Sequence, residues 1–213
     1  MDFNLNCNVA KKCNSCQLNN LTYNEQLKYK QNRCIKYLGS FCRIDGIIGM
    51  ETPFSYRNKA QAVFKRERDK SISWGLYKST TNTLVRTKEC KLHTKHSNEI
   101  FNTLCALFKS FKIPPYDPFK GTGFVKSVVI RESFTFGAVM VIINGADSLF
   151  PAKKTFVSAL LKKHPYITTV VTTVNKDRRK LFIGKTASIQ YNNGYLKGSL
   201  RGTPVRMKPR SFW

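Results

Sequence analysis

The N-terminal segment carries three cysteines at a spacing that favours metal binding. Cys7, Cys13 and Cys16 form a C-x5-C-x2-C pattern, and their neighbours are mostly Asn, Lys and Ser. A free cysteine buried in a core usually has apolar neighbours, whereas a two-residue gap lets both sulfurs turn toward one metal. The pattern therefore predicts three ligands of a metal site whose fourth ligand comes from elsewhere in the chain.

Cys90 is predicted to be the fourth ligand, because it lies in a basic, polar segment in which nearby cations lower the pKa of a thiol. His93 is the rival, since zinc sites with three cysteines and one histidine are known. Cys34 and Cys105 lie on apolar faces of predicted helices, and they and Cys42 are expected to be structural. Four thiolates suit either zinc or an iron–sulfur cluster, and the spacing does not separate these two alternatives.

The composition is strongly basic, with 37 Lys and Arg against 12 Asp and Glu and a formal charge of +25. Such self-repulsion is most simply explained by a polyanionic partner. Nucleic acid is the expected partner, and an anionic membrane surface is the alternative. No apolar run approaches the roughly 20 residues of a spanning helix, and the cations are not gathered on one amphipathic helix, so no membrane partner is expected.

With an odd number of cysteines and no signal-peptide pattern, the protein is expected to be cytoplasmic and without disulfides.

One short stretch combines cations with aromatic and polar side chains, and it comprises Tyr56, Arg57, Asn58 and Lys59. Arg and Lys contact phosphates, while aromatic rings stack on unpaired bases. This stretch therefore predicts an RNA contact, the alternative being a strand edge with solvated charges. Motifs for enzymatic chemistry are nearly absent: Gly121 and Gly123 form a lone G-x-G that precedes a strand pattern, not the helix that a nucleotide site needs.

The elements that would position these residues follow from hydrophobic periodicity and turn signals. Thr22 and Glu25 form a capping box that predicts a helix ending near Gly39. Asn193-Gly194 predicts a tight hairpin turn. Further helices are predicted over 97–111 and 151–163, and strands over 60–65, 72–77, 83–87, 124–131, 138–143, 167–174, 181–183 and 187–191, followed by two short ones. The predicted fold class is α+β, with a mainly antiparallel sheet, two or three helices and a four-cysteine metal-cluster site.

Taken together, these motifs resemble the iron–sulfur-containing RNA (uracil-5-)-methyltransferases, and in particular their 23S ribosomal RNA branch. The likeness is specific as a combination and covers most of the chain. Its parts are the stretches 7–18, 21–27, 49–61 and 75–77, then Cys90, and finally 208–213. In the last stretch Lys208 stands where the family pattern has a Ser.

The resemblance implies a [4Fe–4S] cluster held by four cysteines, Cys7, Cys13, Cys16 and Cys90. It also implies that the Arg57 stretch and Phe212 face RNA, with ribosomal RNA a better candidate than transfer RNA, and that the protein is a monomer. The family transfers a methyl group from S-adenosylmethionine to C5 of uracil, using a cysteine that adds to C6 and a glutamate that removes the C5 proton.

In the family, the S-adenosylmethionine-binding Rossmann-like domain and both catalytic residues follow the segment that ends here at Trp213. The chain is therefore expected to lack the catalytic domain, to be inactive alone and to use S-adenosylmethionine only within a complete protein. Residues 1–16 and 51–207 would form the RNA-binding domain, 17–50 a helical segment packed on the missing domain, and 208–213 the start of that domain. The alternative is a stand-alone zinc or iron–sulfur RNA-binding module without enzymatic activity.

Overall fold

The structure is a computed structural model that describes residues 6–13, 15–78, 83–177, 183–184 and 186–211. Its helices are α1 (Ala10–Cys13), α2 (Tyr23–Leu38), α3 (Lys95–Ser110) and α4 (Lys153–Lys163). Its strands are β1 (Lys59–Arg66), β2 (Ile72–Tyr77), β3 (Leu84–Thr87), β4 (Val125–Ser133), β5 (Ala138–Gly145), β6 (Ile167–Val174), β7 (Thr186–Tyr191), β8 (Leu196–Leu200) and β9 (Thr203–Met207).

The strands of the described residues form a seven-stranded sheet and a separate two-stranded hairpin. The order in the large sheet is β3-β2-β1-β4-β5-β6-β7, and β8 pairs with β9. Strands β5 and β6 run parallel, while the other neighbours run antiparallel. Helix α4 connects the two parallel strands, so β5–α4–β6 is a βαβ crossover. The sheet is therefore mixed.

The predicted fold class is wrong on this point. The sequence assigned the helix over 151–163 and the strands on both sides of it, but it did not predict that these strands pair in parallel. A parallel pair needs a crossover of a dozen or more residues, and a helix placed between two strands supplies it. The observed sheet is the mixed kind that such a crossover produces: one neighbouring pair is parallel and the other five are antiparallel.

The hairpin turn was also misplaced. The turn at Asn193-Gly194 leads from β7 of the large sheet to β8 of the separate hairpin, so it does not join paired strands. The tight hairpin turn lies instead at Arg201 and Gly202, whose φ angles are 48° and 83°. Two consecutive residues with positive φ are typical of a type I′ turn.

The sheet has a different cover on each face. Helices α3 and α4 cover one face through aromatic contacts, with ring centroids 5.1 Å apart for Phe64 and Phe108 and 5.4 Å apart for Phe108 and Phe156. The β8–β9 hairpin covers the other face, where Leu196 and Met207 pack on three sheet residues, Val129, Met140 and Ile142. The end of β4 is thus enclosed between helices and hairpin.

Helix α2 begins as the sequence predicts. The Thr22 N–H donates to Glu25 Oε2 at 2.7 Å and the Glu25 N–H to Thr22 Oγ1 at 3.4 Å, which completes the capping box.

No side chain of α2 is buried in the described structure. Both Cys34 and Cys42 are exposed, so the structural role predicted for these two thiols is wrong. Cys105 packs against the core, as predicted. No helix in the described ranges has the length and apolar character to cross a bilayer.

We expect iodoacetamide to label Cys34 and Cys42 at least about 100-fold faster than Cys105 at mildly alkaline pH. Both are exposed, whereas burial raises the pKa of the Cys105 thiol to about 12 and leaves little of the reactive thiolate. Peptide mass spectrometry over a time course measures the three rates, and urea-unfolded protein is the control in which the rates converge. Equal rates in the native protein would contradict the described burial.

Candidate nucleic-acid interface

The four cysteines predicted to act together do lie around one cavity. Its volume is about 30 Å³, and its walls come from the N-terminal segment, from Arg57 and from the loop between β3 and α3. Cys13 Sγ donates to Ser15 Oγ at 3.2 Å. Asn98 on α3 fixes the loop, because its Oδ1 accepts from the Cys90 N–H at 3.0 Å and its Nδ2 donates to the Cys90 carbonyl at 3.1 Å. Two segments distant in sequence therefore meet at these thiols.

The thiols do not fit the predicted metal cluster. Within the described ranges, no group of three or more His, Cys, Asp or Glu side chains could hold a metal ion. Burial is the largest influence on the Cys16 and Cys90 thiols and raises the pKa of both, although Arg57 opposes it. The prediction that nearby cations lower the pKa of Cys90 is therefore wrong. The prediction of a [4Fe–4S] cofactor is wrong because the described residues contain no group that could hold a metal ion.

His93, the rival fourth ligand, is a core residue. Its ring is 2% exposed and lies 6.3 Å from Trp74 and 5.9 Å from Phe101, measured between centroids. Burial lowers the pKa of His93 to about 4. The ring does not line the cavity that the four cysteines share, although it lines a separate cavity together with Cys90.

The predicted RNA-contact stretch is exposed, and a backbone hydrogen bond ties it to a neighbouring loop. The Arg57 N–H donates to the Leu92 carbonyl at 3.0 Å, which ties the stretch to the loop that carries Cys90. Tyr56 is 43% exposed. Tyr56 and Arg57 line a cavity of about 510 Å³ whose walls include Lys30 on α2. The structure brings cations and an aromatic ring together here, and Phe212, the other predicted contact, lies outside the described residues.

The sequence missed a buried cation beside this stretch. Arg131 on β4 lies directly opposite Lys59 on β1, and it is only 2% exposed. Its Nη2 donates to the Ser211 carbonyl. Burial lowers the pKa of both cations, and Arg131 lowers that of Lys59 further. Like charges opposite each other on neighbouring strands are destabilising. The β1–β4 register, which the sequence did not predict, was the signal needed to find this pair.

Comparison with solved structures shows the fold. The chain superposes on the Pyrococcus abyssi tRNA (uracil-54, C5)-methyltransferase in complex with S-adenosyl-L-homocysteine with a TM-score of 0.74 at 20% sequence identity. The superposition covers 95% of this chain and 46% of that chain. The fold described above is therefore shared with part of a methyltransferase structure.

Comparison with curated proteins agrees with that fold. The chain is 28% identical to an uncharacterized RNA methyltransferase of Clostridium acetobutylicum and 29% identical to one of Caldanaerobacter subterraneus subsp. tengcongensis. Each alignment covers 97% of this chain and 46% of the relative, so the chain spans about half the length of these relatives. No protein-family model matches the chain. The homologues are thus named RNA methyltransferases.

These comparisons correct the prediction of a chain without catalytic parts. That prediction described an inactive fragment that lacks the methyltransferase domain and needs S-adenosylmethionine only in a longer protein. The likeness to a methyltransferase structure in complex with S-adenosyl-L-homocysteine extends over 95% of this chain and 46% of that chain, so the prediction is corrected to a chain that shares the fold of part of a methyltransferase. It had rested on the position of the last residue, which carries no information about activity.

Proposed function

We propose that the protein takes part in S-adenosylmethionine-dependent methylation of RNA at C5 of uracil, and that its basic surface binds the RNA. In this reaction the methyl group replaces the hydrogen at C5 of uracil, and S-adenosylhomocysteine and a proton are released. The named relatives and the structural neighbour support the methyltransferase part of the proposal.

The observation that carries the RNA part is a charge of +25 on this fold. Tyr56, Arg57, Asn58 and Lys59 supply exposed cations beside an aromatic ring and an amide, a combination that suits phosphates and unpaired bases. We propose these four residues, with Phe212, as RNA contacts. Ribosomal RNA is the proposed substrate because of the motif likeness to the 23S branch, and the protein is proposed to act as a monomer in the cytoplasm.

We also propose that Cys7, Cys13, Cys16 and Cys90 act as one site, which fixes the N-terminal segment beside Arg57. Their shared cavity supports this role. Alkylation rates measured in the same way for these four thiols, over a series of urea concentrations, test the proposal, because four thiols that act together become reactive together as the protein unfolds. Native Cys13, which is 8% exposed, labelling as fast as Cys34 would contradict the proposal.

Nucleoside analysis of RNA tests the proposed reaction. We expect cells without the gene to lack one 5-methyluridine, because this is the product of methyl transfer to uracil C5. The position of the lost nucleoside identifies the RNA, and a loss from transfer RNA would replace ribosomal RNA as the substrate.

A further inference from the structure

A second cavity lies where β4 ends against the β8–β9 hairpin, away from the cysteines. Its volume is about 380 Å³, which is within the range of pockets that take small organic molecules. Its walls combine polar, aromatic, aliphatic and cationic side chains, among them Asn58, Ser133, Phe134, Leu200, Val205 and Arg206.

A buried hydroxyl in this cavity has no hydrogen-bond partner in the described structure. Ser133 is 4% exposed and its Oγ is unpaired. Arg131 lies two residues earlier, on the same face of β4, and its Nε is likewise buried and unpaired among the described residues. Buried polar atoms without partners are rare and costly in folded proteins. Of these two residues Ser133 lines the cavity, and its unpaired hydroxyl indicates a ligand with hydrogen-bonding groups.

The rim of the cavity is apolar and exposed. Phe134, which follows β4, is 61% exposed, and Leu200, at the end of β8, is 53% exposed. An exposed aromatic ring beside a polar pocket is suited to stacking on a nucleobase, which also carries hydrogen-bonding edges. The ring and the unpaired hydroxyl thus favour the same kind of ligand.

The charge around the cavity complements a phosphate. Arg206 is the cation of the lining, and Lys59 follows the lining residue Asn58. In the described ranges neither cation has a carboxylate within salt-bridge distance. The acidic residue of the lining, Glu132, directs its carboxylate to the other face of the sheet, where Ser97 Oγ donates to it at 2.7 Å. The Arg206 guanidinium lies 5.0 Å from the centroid of the Tyr195 ring, but no carboxylate of the described residues neutralises either charge, which favours an anionic ligand.

We propose that this cavity binds one unpaired nucleotide of the RNA, with its base stacked on Phe134 and hydrogen-bonded to Ser133 Oγ and with its phosphate at Lys59 and Arg206. The proposal rests on the proposed RNA-binding function. A base in a duplex cannot enter the cavity while it is paired, so the site selects single-stranded or looped RNA.

Fluorescence anisotropy with a labelled short single-stranded RNA, and with the same RNA annealed to its complement, tests this proposal. Phe134→Ala is expected to weaken single-strand binding about tenfold and duplex binding little, because it removes a base-stacking ring. Ser133→Ala is expected to weaken single-strand binding about fivefold without lowering the melting temperature, because its hydroxyl has no partner in the protein. Phe119→Ala is the matched control, since Phe119 is 97% exposed near the opposite end of β4, and it should bind like wild type.

Wild-type affinity in both Phe134→Ala and Ser133→Ala would overturn the proposal while leaving salt-dependent RNA binding intact. A wild-type protein that binds no RNA would overturn the proposed RNA binding as well, so the two failures are distinguishable. Photocrosslinking with 4-thiouridine RNA gives a second readout. Adducts on the tryptic peptides 132–153, 198–201 or 202–206 support the site, and adducts confined to peptides outside the lining contradict it.

Discussion

Trp74→Ala is expected to lower the free energy of unfolding by about 3–5 kcal/mol. Trp74 is 1% exposed, and its ring centroid lies 4.9 Å from that of Phe101 on α3. Its Nε1 donates to Asn102 Oδ1 at 2.7 Å. The substitution therefore leaves a cavity and an unpaired acceptor at the contact that joins β2 to α3. Urea denaturation followed by far-ultraviolet circular dichroism measures the change.

Two further variants separate packing from the hydrogen bond of Trp74. Trp74→Phe keeps most of the ring volume and is expected to lose about half as much free energy as Trp74→Ala. Phe119→Ala alters an exposed ring and is expected to stay within about 0.5 kcal/mol of wild type. A Trp74→Ala protein as stable as the Phe119→Ala control would contradict the described packing of α3 on the sheet.

Raising the salt concentration from 50 to 200 mM is expected to weaken RNA binding on the order of a thousandfold. The reason is counterion release: a chain with a charge of +25 that covers about six phosphates displaces several cations from the RNA. Anisotropy titrations at four or so salt concentrations give the slope of log affinity against log salt. A flat response would remove the charge argument for RNA binding.

Single variants locate the cations responsible for this slope. Arg57→Ala is expected to reduce the slope by about one, because one phosphate contact is lost. Arg43→Ala is the matched control, since Arg43 is exposed but already lies 3.8 Å from Asp45. An equal reduction in both variants would mean that Arg57 has no special part in the interface.

Local signals in the sequence predicted the individual elements well. The capping box of Thr22 and Glu25 sets the start of α2 through hydrogen bonds between near neighbours. The strand predicted over 72–77 coincides with β2, and that over 167–174 coincides with β6. Such features depend on residues a few positions apart, so they can be read from a single sequence.

Features that depend on distant residues could not be predicted in this way. The parallel pairing of β5 with β6 depends on the path of α4, and the Lys59–Arg131 pair depends on the register of β1 against β4. The apolar spacing of α2 predicted a buried face with Cys34 in it, but no side chain of this helix is buried in the described structure. Periodicity shows which residues share a face and not whether that face is covered.

The cysteines of the candidate site also show what a single sequence can and cannot predict. Spacing grouped Cys7, Cys13 and Cys16, and the basic setting of Cys90 added the fourth thiol; all four line one cavity. The low thiol pKa assigned to Cys90 from its basic neighbours is not observed, because burial, which spacing does not reveal, raises the pKa of Cys16 and Cys90. The nucleotide cavity at Ser133 was not predicted, because its walls come from β4 and from a hairpin more than sixty positions later.

Mass spectrometry of nucleosides in RNA is the most direct test of the central claim. Ribosomal and transfer RNA are purified from cells with the gene, without it, and without it but carrying a wild-type copy. The account predicts that one 5-methyluridine disappears from the RNA of cells without the gene and returns with the copy. An unchanged level and position of every 5-methyluridine in all three would contradict the proposal that the protein takes part in uracil C5 methylation.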